Sequence, residues 1–210
     1  MYRFDAYFFD FDGTIGDTEV DIRAAWLSAI SELGLPDNHF DSVFRVGPPI
    51  QDTAKLLFPD LSEDHSIVLQ NKYKYYYDDG NDYRALPYPG VIEALRQLHD
   101  AGKKVYIVTN KRYKPLFKLV KKFQLDFCDG IFSPDIIDPD NHLKKPELLA
   151  VALKVAATIP ERSLMIGDTD LDGAAAYTNN IPFCGVTWGY GSRMLLVGAD
   201  FIIDDPSKLP

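Results

Sequence analysis

The stretch AYFFDFDGT, residues 6–14, decides how the rest of this sequence is interpreted. Three aromatic residues lead into Asp10 and Asp12, and Gly13 and Thr14 follow at once. An aromatic run that ends in Asp and Gly is typical of a buried strand that stops abruptly. Ligands of parallel sheets bind at the carboxyl ends of the strands, where two carboxylates would repel each other without a cation between them. The stretch therefore favours a divalent metal site over the plainer alternative, an aspartate that caps a turn.

Composition limits the classes of partner. The 210 residues are 46% hydrophobic, enough for one domain with a substantial core and a smaller appendage. The net charge of −9 argues against nucleic acid or an anionic membrane, because both attract basic surfaces. Any phosphate site must therefore draw its positive charge locally, from a metal and a few cationic side chains.

The cysteines and the apolar runs predict a cytoplasmic protein. Cys128 and Cys184 are too few for a disulfide framework and lie in apolar surroundings, as buried free thiols do. The sequence begins without a signal-peptide pattern, and no apolar run approaches the length of a membrane span. We expect a soluble protein of a reducing compartment.

Beyond residue 84, strand patterns alternate with helical ones. Such alternation predicts right-handed βαβ units, an α/β fold and a parallel sheet. The predicted strands are KKVYIVTN (103–110), CDGIFSP (128–134), SLMIGDTD (163–170), PFCGVTWG (182–189) and ADFIID (199–204).

Residues 17–84 are different, because their pattern is helical and irregular and contains no convincing strand. Ile22, Trp26, Ile30 and Leu33 recur at helical spacing. A tyrosine-rich segment, NKYKYYYDDGNDY, follows at residues 71–83. One possibility is that its rings form a solvent-exposed aromatic helix face over a pocket. The other is that the rings pack a small helical domain and only their hydroxyls contact water.

Polar side chains that could take part in catalysis or binding recur at the ends of the predicted strands and before one helix. Singly, each has an ordinary explanation: turn residues, a solvated lysine, or a helix N-cap. Occurring in this order on an α/β alternation, they indicate a common site. They are Asp10 with Asp12, Thr109 with Asn110, Lys145, and Asp168 with Asp172.

This series resembles motifs I to IV of the haloacid dehalogenase superfamily, whose phosphatases carry Asp-x-Asp-Gly-Thr. The resemblance implies a doubly wound, Rossmann-like parallel sheet of about five or six strands, formed by residues 1–16 and 85–210. It also implies that residues 17–84 are an inserted all-α cap of the C1 class, which would close over the site and select the substrate.

The resemblance also implies roles for individual residues. Asp10 corresponds to the nucleophile that forms an aspartyl-phosphate, and Asp12 to the general acid and base. Thr109 and Asn110 correspond to the phosphate-binding pair, and Lys145 to the lysine that neutralises phosphate and nucleophile.

The same resemblance implies Mg²⁺, a hard cation that keeps several of its waters. Its ligands would be Asp10, Asp168 and the backbone carbonyl of Asp12, with Asp172 as the acidic partner outside the ligand shell.

Finer features, including PYPGV, VTNK and WGYG, resemble the phosphoglycolate phosphatase-like branch. In that branch a cap-loop arginine near a glycine meets the substrate, which points to Arg45; an ordinary surface arginine is the alternative. The segment KPELL, residues 145–149, lacks the second proline that is usual in the branch. Because Lys144 stands next to Lys145, either of the two could be the functional lysine.

We therefore expect a Mg²⁺-dependent phosphatase of small phosphate monoesters, monomeric or homodimeric, whose partner is a small phosphorylated metabolite. Phosphoglycolate, a 5′-nucleotide, a sugar phosphate and pyrophosphate all remain open as substrates. The alternatives are a phosphoglucomutase-like isomerase, which would need a basic cap motif absent from this sequence, and an inactive binding protein on the same fold.

Overall fold

The computed structural model describes residues 2–79, 83–137 and 143–210. The chain divides into two compact units, Met1–Asp17 with Leu86–Pro210, and Thr18–Ala85. The first unit carries the predicted α/β alternation, and the second is helical. Both boundaries lie one residue beyond the positions predicted from the sequence.

The first unit contains a parallel six-stranded sheet in the order β5-β4-β1-β6-β7-β8. This is a doubly wound order that reverses direction beside β1, and the predicted α/β fold class is confirmed. The strands are β1 (Ala6–Phe9), β4 (Lys104–Val108), β5 (Gly130–Phe132), β6 (Ser163–Gly167), β7 (Phe183–Val186) and β8 (Phe201–Ile203).

Helices flank this sheet, and the alternation of side chains along β1 explains why. Ala6 and Phe8 point into a buried cluster with Leu148, Leu149 and Met165. Phe9 instead packs near Val91 and Leu95. A strand buried on both faces needs a continuous apolar run, as β1 has. The helices of this unit are α5 (Val91–Asp100), α6 (Tyr113–Lys122), α7 (Pro134–Ile137), α8 (Lys145–Ala156) and α9 (Asp170–Thr178).

Strand register brings the predicted site residues to one edge. Phe9 lies opposite Ile107 of β4 and opposite Ile166 of β6. Asp10, Thr109 and Asp168 are the first residues after these three neighbouring strands. They therefore leave the sheet side by side at its carboxyl edge.

The second unit contains α1 (Glu19–Glu32), α2 (Phe40–Val43), α3 (Ile50–Leu57) and α4 (Glu63–Asp78). Its core includes a stack of aromatic rings. Trp26 stacks on Tyr73 at 4.2 Å between ring centroids, and Tyr73 stacks on Tyr77 at 5.5 Å. Both tyrosines are buried, which favours the interpretation that this segment packs a small helical domain. The later part of the tyrosine-rich segment, residues 80–82, lies outside the described residues.

A short antiparallel pair, not predicted from the sequence, explains where the first unit ends. Strand β2 (Gly16–Asp17) pairs with β3 (Leu86–Pro87), with Asp17 opposite Leu86. On the helical side, Asp21 accepts hydrogen bonds from the backbone N–H groups of Arg84 (3.0 Å) and Ala85 (2.8 Å). Asp17 and Leu86 thus belong to the α/β unit by pairing, and Ala85 belongs to the helical unit.

Two smaller expectations concern thiols and membrane spans. Both cysteines are free; Cys184 is buried and Cys128 is half-buried. Burial raises the pKa of each thiol to about 12. Among the described helices, none combines the length and apolar character that crossing a membrane requires.

Candidate active site

Asp10 is held at the end of β1 by the neighbouring strand. Its side chain is 4% exposed, and its backbone N–H donates to the carbonyl of Ile166 at 2.9 Å. The chain then turns tightly, with the N–H groups of Ile15 and Gly16 both donating to the carbonyl of Phe11. Gly13 supports this turn with a φ of +84°, a conformation that favours glycine.

Asp168 is fully buried and is held by two backbone loops. Its Oδ2 accepts backbone hydrogen bonds from Tyr190 (2.8 Å) and Gly191 (3.2 Å), and its Oδ1 lies 3.3 Å from the hydroxyl of Thr14. A Cβ atom on Gly13 would lie 2.3 Å from Asp168 Oδ2. A Cβ atom on Gly191 would lie 1.7 Å from the backbone carbonyl oxygen of Asp168. Only glycine at these two positions lets the loops approach Asp168 so closely.

Asp172 joins the site to the start of α9. Its Oδ2 accepts hydrogen bonds from the backbone N–H (3.0 Å) and the hydroxyl (2.8 Å) of Thr169, which is the N-cap of the helix. This reciprocal capping box answers a question left open by the sequence, because Thr169 and not Asp168 caps the helix. Asp168 is thereby available for another role.

Lys145 links two of the three acids. Its Nζ lies 2.9 Å from Asp10 Oδ1 and 2.6 Å from Asp172 Oδ1, and its side chain is 3% exposed. Lys144, in contrast, is exposed and stands at the N-cap of α8. The structure thus brings Lys145, and not its neighbour, to the carboxylates.

The electrostatics of this cluster indicate an excess of buried negative charge. Burial raises the pKa of Asp10 to about 7; Lys145 opposes this rise, and the charges of Asp172 and Asp168 add to it. Burial, with the charge of Asp172, likewise raises the pKa of Asp168 to about 6. Burial would lower the pKa of Lys145, but Asp10 and Asp172 outweigh it and raise that pKa. One lysine does not balance three carboxylates.

The same three carboxylates fit a hard metal ion. One oxygen each from Asp10, Asp168 and Asp172 lies within 4.8 Å of the others, and all three residues are buried. Asp10 Oδ1 lies 2.9 Å from Lys145 Nζ, but within residues 2–79, 83–137 and 143–210 no donor meets it in hydrogen-bond geometry. Carboxylate oxygens of this kind suit a hard divalent cation better than a softer metal.

Thr109 and Asn110 follow β4 at the same edge of the sheet. Thr109 is buried, its N–H donates to the carbonyl of Phe132 at 3.1 Å, and its Oγ1 accepts from the N–H of Lys111 at 3.2 Å. Asn110 is half-buried. Both residues lie at the carboxyl edge of the sheet, on the strand next to that of Asp10, and their contact with phosphate stays a prediction.

Asp12 and Arg45 lie outside the three-acid cluster. Asp12 Oδ1 accepts a hydrogen bond from Lys111 Nζ at 2.8 Å. Arg45 is exposed and follows α2 in the helical unit. Its contact with a substrate stays a prediction.

Sequence reasoning missed several residues that shape the site. Trp188 donates its indole N–H to the carbonyl of Thr14 at 3.1 Å, and Tyr190 Oη lies 3.0 Å from an oxygen of Asp17. The text WGYG was a usable signal, because glycines that flank aromatics after a strand often mark a close backbone approach. The missed residues are Thr14, Lys111, Thr169, Trp188, Gly189, Tyr190 and Gly191.

Comparisons with known proteins agree with this geometry. The sequence profile of the haloacid dehalogenase-like hydrolases matches residues 7–186. A pyrophosphatase PpaX from Halalkalibacterium halodurans is 32% identical over 167 residues, covering 78% of this chain and 74% of that protein. A phosphoglycolate phosphatase from Agrobacterium fabrum is 30% identical over 216 residues, covering 96% and 88%.

A solved structure supports the same assignment. A haloacid dehalogenase-like family hydrolase from Streptococcus pneumoniae superposes with a TM-score of 0.84 at 27% identity, covering 100% of this chain and 98% of that one. The chain therefore belongs to the haloacid dehalogenase-like hydrolases, and its relatives include enzymes named phosphatases.

Proposed function

We propose that this protein is a Mg²⁺-dependent phosphatase that hydrolyses small phosphate monoesters through an aspartyl-phosphate on Asp10. The observation that carries the proposal is the buried cluster of Asp10, Asp168 and Asp172 with Lys145. The cluster combines a carboxylate nucleophile, an excess of negative charge that calls for a cation, and a lysine that stabilises that nucleophile.

Each residue has a distinct task in the proposed reaction. An oxygen of Asp10 attacks phosphorus, and the bond from phosphorus to the leaving oxygen breaks as Asp12 gives that oxygen a proton. Asp12 then takes a proton from the water that attacks the aspartyl-phosphate, which releases phosphate and restores Asp10. Thr109, Asn110 and Lys145 hold the phosphoryl oxygens in line.

Mg²⁺ would be held by Asp10, Asp168 and the backbone carbonyl of Asp12, with Asp172 oriented beside it by Thr169 and Lys145. Once bound, the ion would neutralise the phosphoryl oxygens and relieve the repulsion among the buried carboxylates. The raised pKa values of Asp10 and Asp168 support this assignment, because burial and the neighbouring carboxylates disfavour the charged form of each acid when no cation is near.

Two substrates take precedence in the test. The relatives are named pyrophosphatase and phosphoglycolate phosphatase, so pyrophosphate and phosphoglycolate head the panel. A 5′-nucleotide and a sugar phosphate complete it. We also propose that Arg45 contacts the part of the substrate beyond the phosphoryl group, and that a small phosphorylated metabolite is the natural partner.

The experiment is phosphate release across this panel, with Mg²⁺ and with a chelator, for wild type and Asp10→Asn. We expect release that requires the metal and is lost in Asp10→Asn. Arg45→Ala should raise KM for the preferred substrate and leave the metal dependence unchanged. A folded wild-type protein that binds Mg²⁺ but hydrolyses nothing in the panel would contradict the proposal and favour a mutase or a binding role.

A further inference from the structure

Lys111 is a buried cation close to the site that the mechanism above does not use. Its side chain is 2% exposed, and its Nζ donates to Asp12 Oδ1 at 2.8 Å, joining residues 99 positions apart in sequence. Asp12 is itself only 12% exposed. Taking a lysine out of water is costly unless its charge is paired in good geometry, so this contact is a specific feature of the fold.

The backbone of Lys111 is held on both sides of its Cα. Its N–H donates to Thr109 Oγ1 at 3.2 Å, and its carbonyl oxygen lies 2.9 Å from the hydroxyl of Ser133, which is buried. Thr109 belongs to the proposed phosphate-binding pair. The path of the lysine is thus tied to the residue that would hold the phosphoryl group.

The ammonium group of Lys111 also lies near an aromatic ring. Its Nζ lies 5.9 Å from the centroid of the Phe11 ring, and Phe11 stacks on Phe123 at 5.8 Å with an interplanar angle of 12°. A flexible lysine loses much of its rotamer freedom in such a setting before it meets Asp12. The ammonium group is therefore preorganised as a contact for the carboxyl group.

We infer that Lys111 is a positioning residue for Asp12, an inference that rests on the proposed phosphatase function. The ammonium group binds Asp12 Oδ1 and so fixes the position of the carboxyl group that exchanges the proton. In the first step the bond between phosphorus and the leaving oxygen breaks, its electron pair takes the proton from Asp12, and the new bond forms to Asp10. Lys111 gives up no proton in this step and acts by fixing the position of Asp12.

Leaving-group dependence separates this role from a structural one. A poor leaving group such as an alkoxide needs the general acid, whereas p-nitrophenolate departs as a stable anion without it. The ratio kcat/KM covers only the steps up to this departure. For Lys111→Met, whose side chain has similar length and no charge, we expect kcat/KM to fall about 10- to 100-fold with an alkyl phosphate and by less than about 3-fold with p-nitrophenyl phosphate.

Two controls sharpen the comparison. Lys114→Met alters an exposed lysine in the first turn of α6, three positions after Lys111, and should leave kcat/KM unchanged for both substrates. In an Asp12→Asn background, Lys111→Met should cost less than about 2-fold on either substrate, because its partner has already lost its function. Thermal unfolding without metal supplies a second readout, since the loss in Tm from Lys111→Met should be smaller in that background.

An equal fall of kcat/KM on both substrates would overturn the inference, whether Lys111 then binds phosphate directly or only supports the fold. A full additional loss in the Asp12→Asn background would overturn it too. If Lys111→Met does not fold, Lys111→Gln, which keeps an N–H donor, takes its place. Its kcat/KM is then measured with the alkyl phosphate and with p-nitrophenyl phosphate, and the same two outcomes apply. Absence of hydrolysis by wild type would instead count against the proposed function itself.

Discussion

The two ends of the central strands use the same residue types for opposite purposes. At the amino end, Asp5, Lys103 and Arg162 each precede one of β1, β4 and β6, and Asp5 pairs with both cations at 3.1 and 2.7 Å. At the carboxyl end, Lys145 lies between Asp10 and Asp172 at similar distances. The Asp5 side chain is 51% exposed, whereas that of Asp10 is 4% exposed.

Solvent accounts for the contrast. Water screens the amino-end pairs, and hydrogen bonds from Arg162 and Lys103 lower the pKa of Asp5 to about 2. At the carboxyl end, burial dominates and raises the pKa of Asp10 to about 7. A carboxylate that is costly to ionise in the fold is poised to bind a cation or a phosphoryl group. The ion pairs at the amino end of the sheet are therefore exposed to solvent and ordinary. The carboxylates at the carboxyl end are buried, and their ionisation is unfavourable without a cation.

The largest expected effect is the loss of the proposed nucleophile, Asp10. Asp10→Asn should lower kcat by at least about 10³-fold, because the proposed mechanism forms its covalent intermediate on this carboxylate. Its Tm should not fall, since the change removes a charge whose burial is unfavourable. Asp5→Asn at the other end should leave kcat unchanged. Paired kinetics and thermal unfolding test both, and substantial turnover by Asp10→Asn would refute covalent catalysis.

The next effect concerns the lysine. Lys145→Met leaves Asp10 and Asp172 buried without their cation, and we expect the metal-free protein to lose about 3–5 kcal/mol of its free energy of unfolding. Arg162→Met removes a cation from the exposed pair and should not shift the denaturant midpoint measurably. Equal losses in the two variants would show that burial does not separate the two ends.

Two glycines of similar conformation give a sharper contrast. Gly13 at the carboxyl end has a φ of +84°, and Gly102 at the amino end has a φ of +75°. A Cβ on Gly13 would meet Asp168 Oδ2 at 2.3 Å, whereas one on Gly102 would meet nothing within 4 Å. Gly102→Ala should therefore cost only the backbone strain, about 1–2 kcal/mol.

Gly13→Ala should cost more than this strain and should also weaken Mg²⁺ binding, because Asp168 must move to make room. Denaturant titration and calorimetric metal binding give the two quantities. Indistinguishable unfolding energies for the two alanine variants would mean that the close approach to Asp168 carries no cost.

The last prediction concerns the dependence of stability on pH. The folded pKa values of Asp10 and Asp168 are raised from 3.8 to about 7 and about 6. Their stabilising contribution is therefore complete below the unfolded pKa and is lost as the pH rises through the folded values. Asp5 has a lowered pKa, so its contribution is present above the unfolded pKa and lost as the pH falls towards about 2.

Metal-free protein should accordingly lose stability between about pH 4 and about pH 7, at up to about 1 kcal/mol per pH unit for each titrating group. Thermal unfolding in a chelator measures this slope, and Asp10→Asn should flatten it. Saturating Mg²⁺ should reverse the trend, because the metal binds the deprotonated acids. A metal-free Tm that rises across this interval would contradict the assignment of buried, unbalanced charge.

Much of this contrast could be predicted from the sequence. The apolar strands and the polar residues that follow them located β1, β4 and β6 and placed Asp10, Thr109 and Asp168 at one edge, since local pattern and strand order determine both. The helical character of residues 17–84 was equally clear. The two-residue strands β2 and β3 were not predictable, because so short a pair has no periodicity.

Other details depend on contacts between distant residues. The choice between Lys144 and Lys145 rests on where α8 begins, and a sequence pattern locates helix ends only to within a few residues. Lys111 reaches Asp12 across 99 positions, and the N–H groups of Tyr190 and Gly191 reach Asp168 across more than twenty. Backbone donors leave no trace in residue type, so only the structure reveals them.

The aromatic stack of the helical unit has an optical consequence. The chain contains two tryptophans, and each belongs to a different unit: Trp26 stacks on Tyr73, while Trp188 donates its indole N–H to the carbonyl of Thr14. Each unit thus has its own intrinsic fluorophore. Trp26→Phe would leave Trp188 as the single tryptophan, whose emission reports on the loop beside Asp168. Trp188→Phe would leave Trp26, whose emission reports on the unfolding of the helical unit.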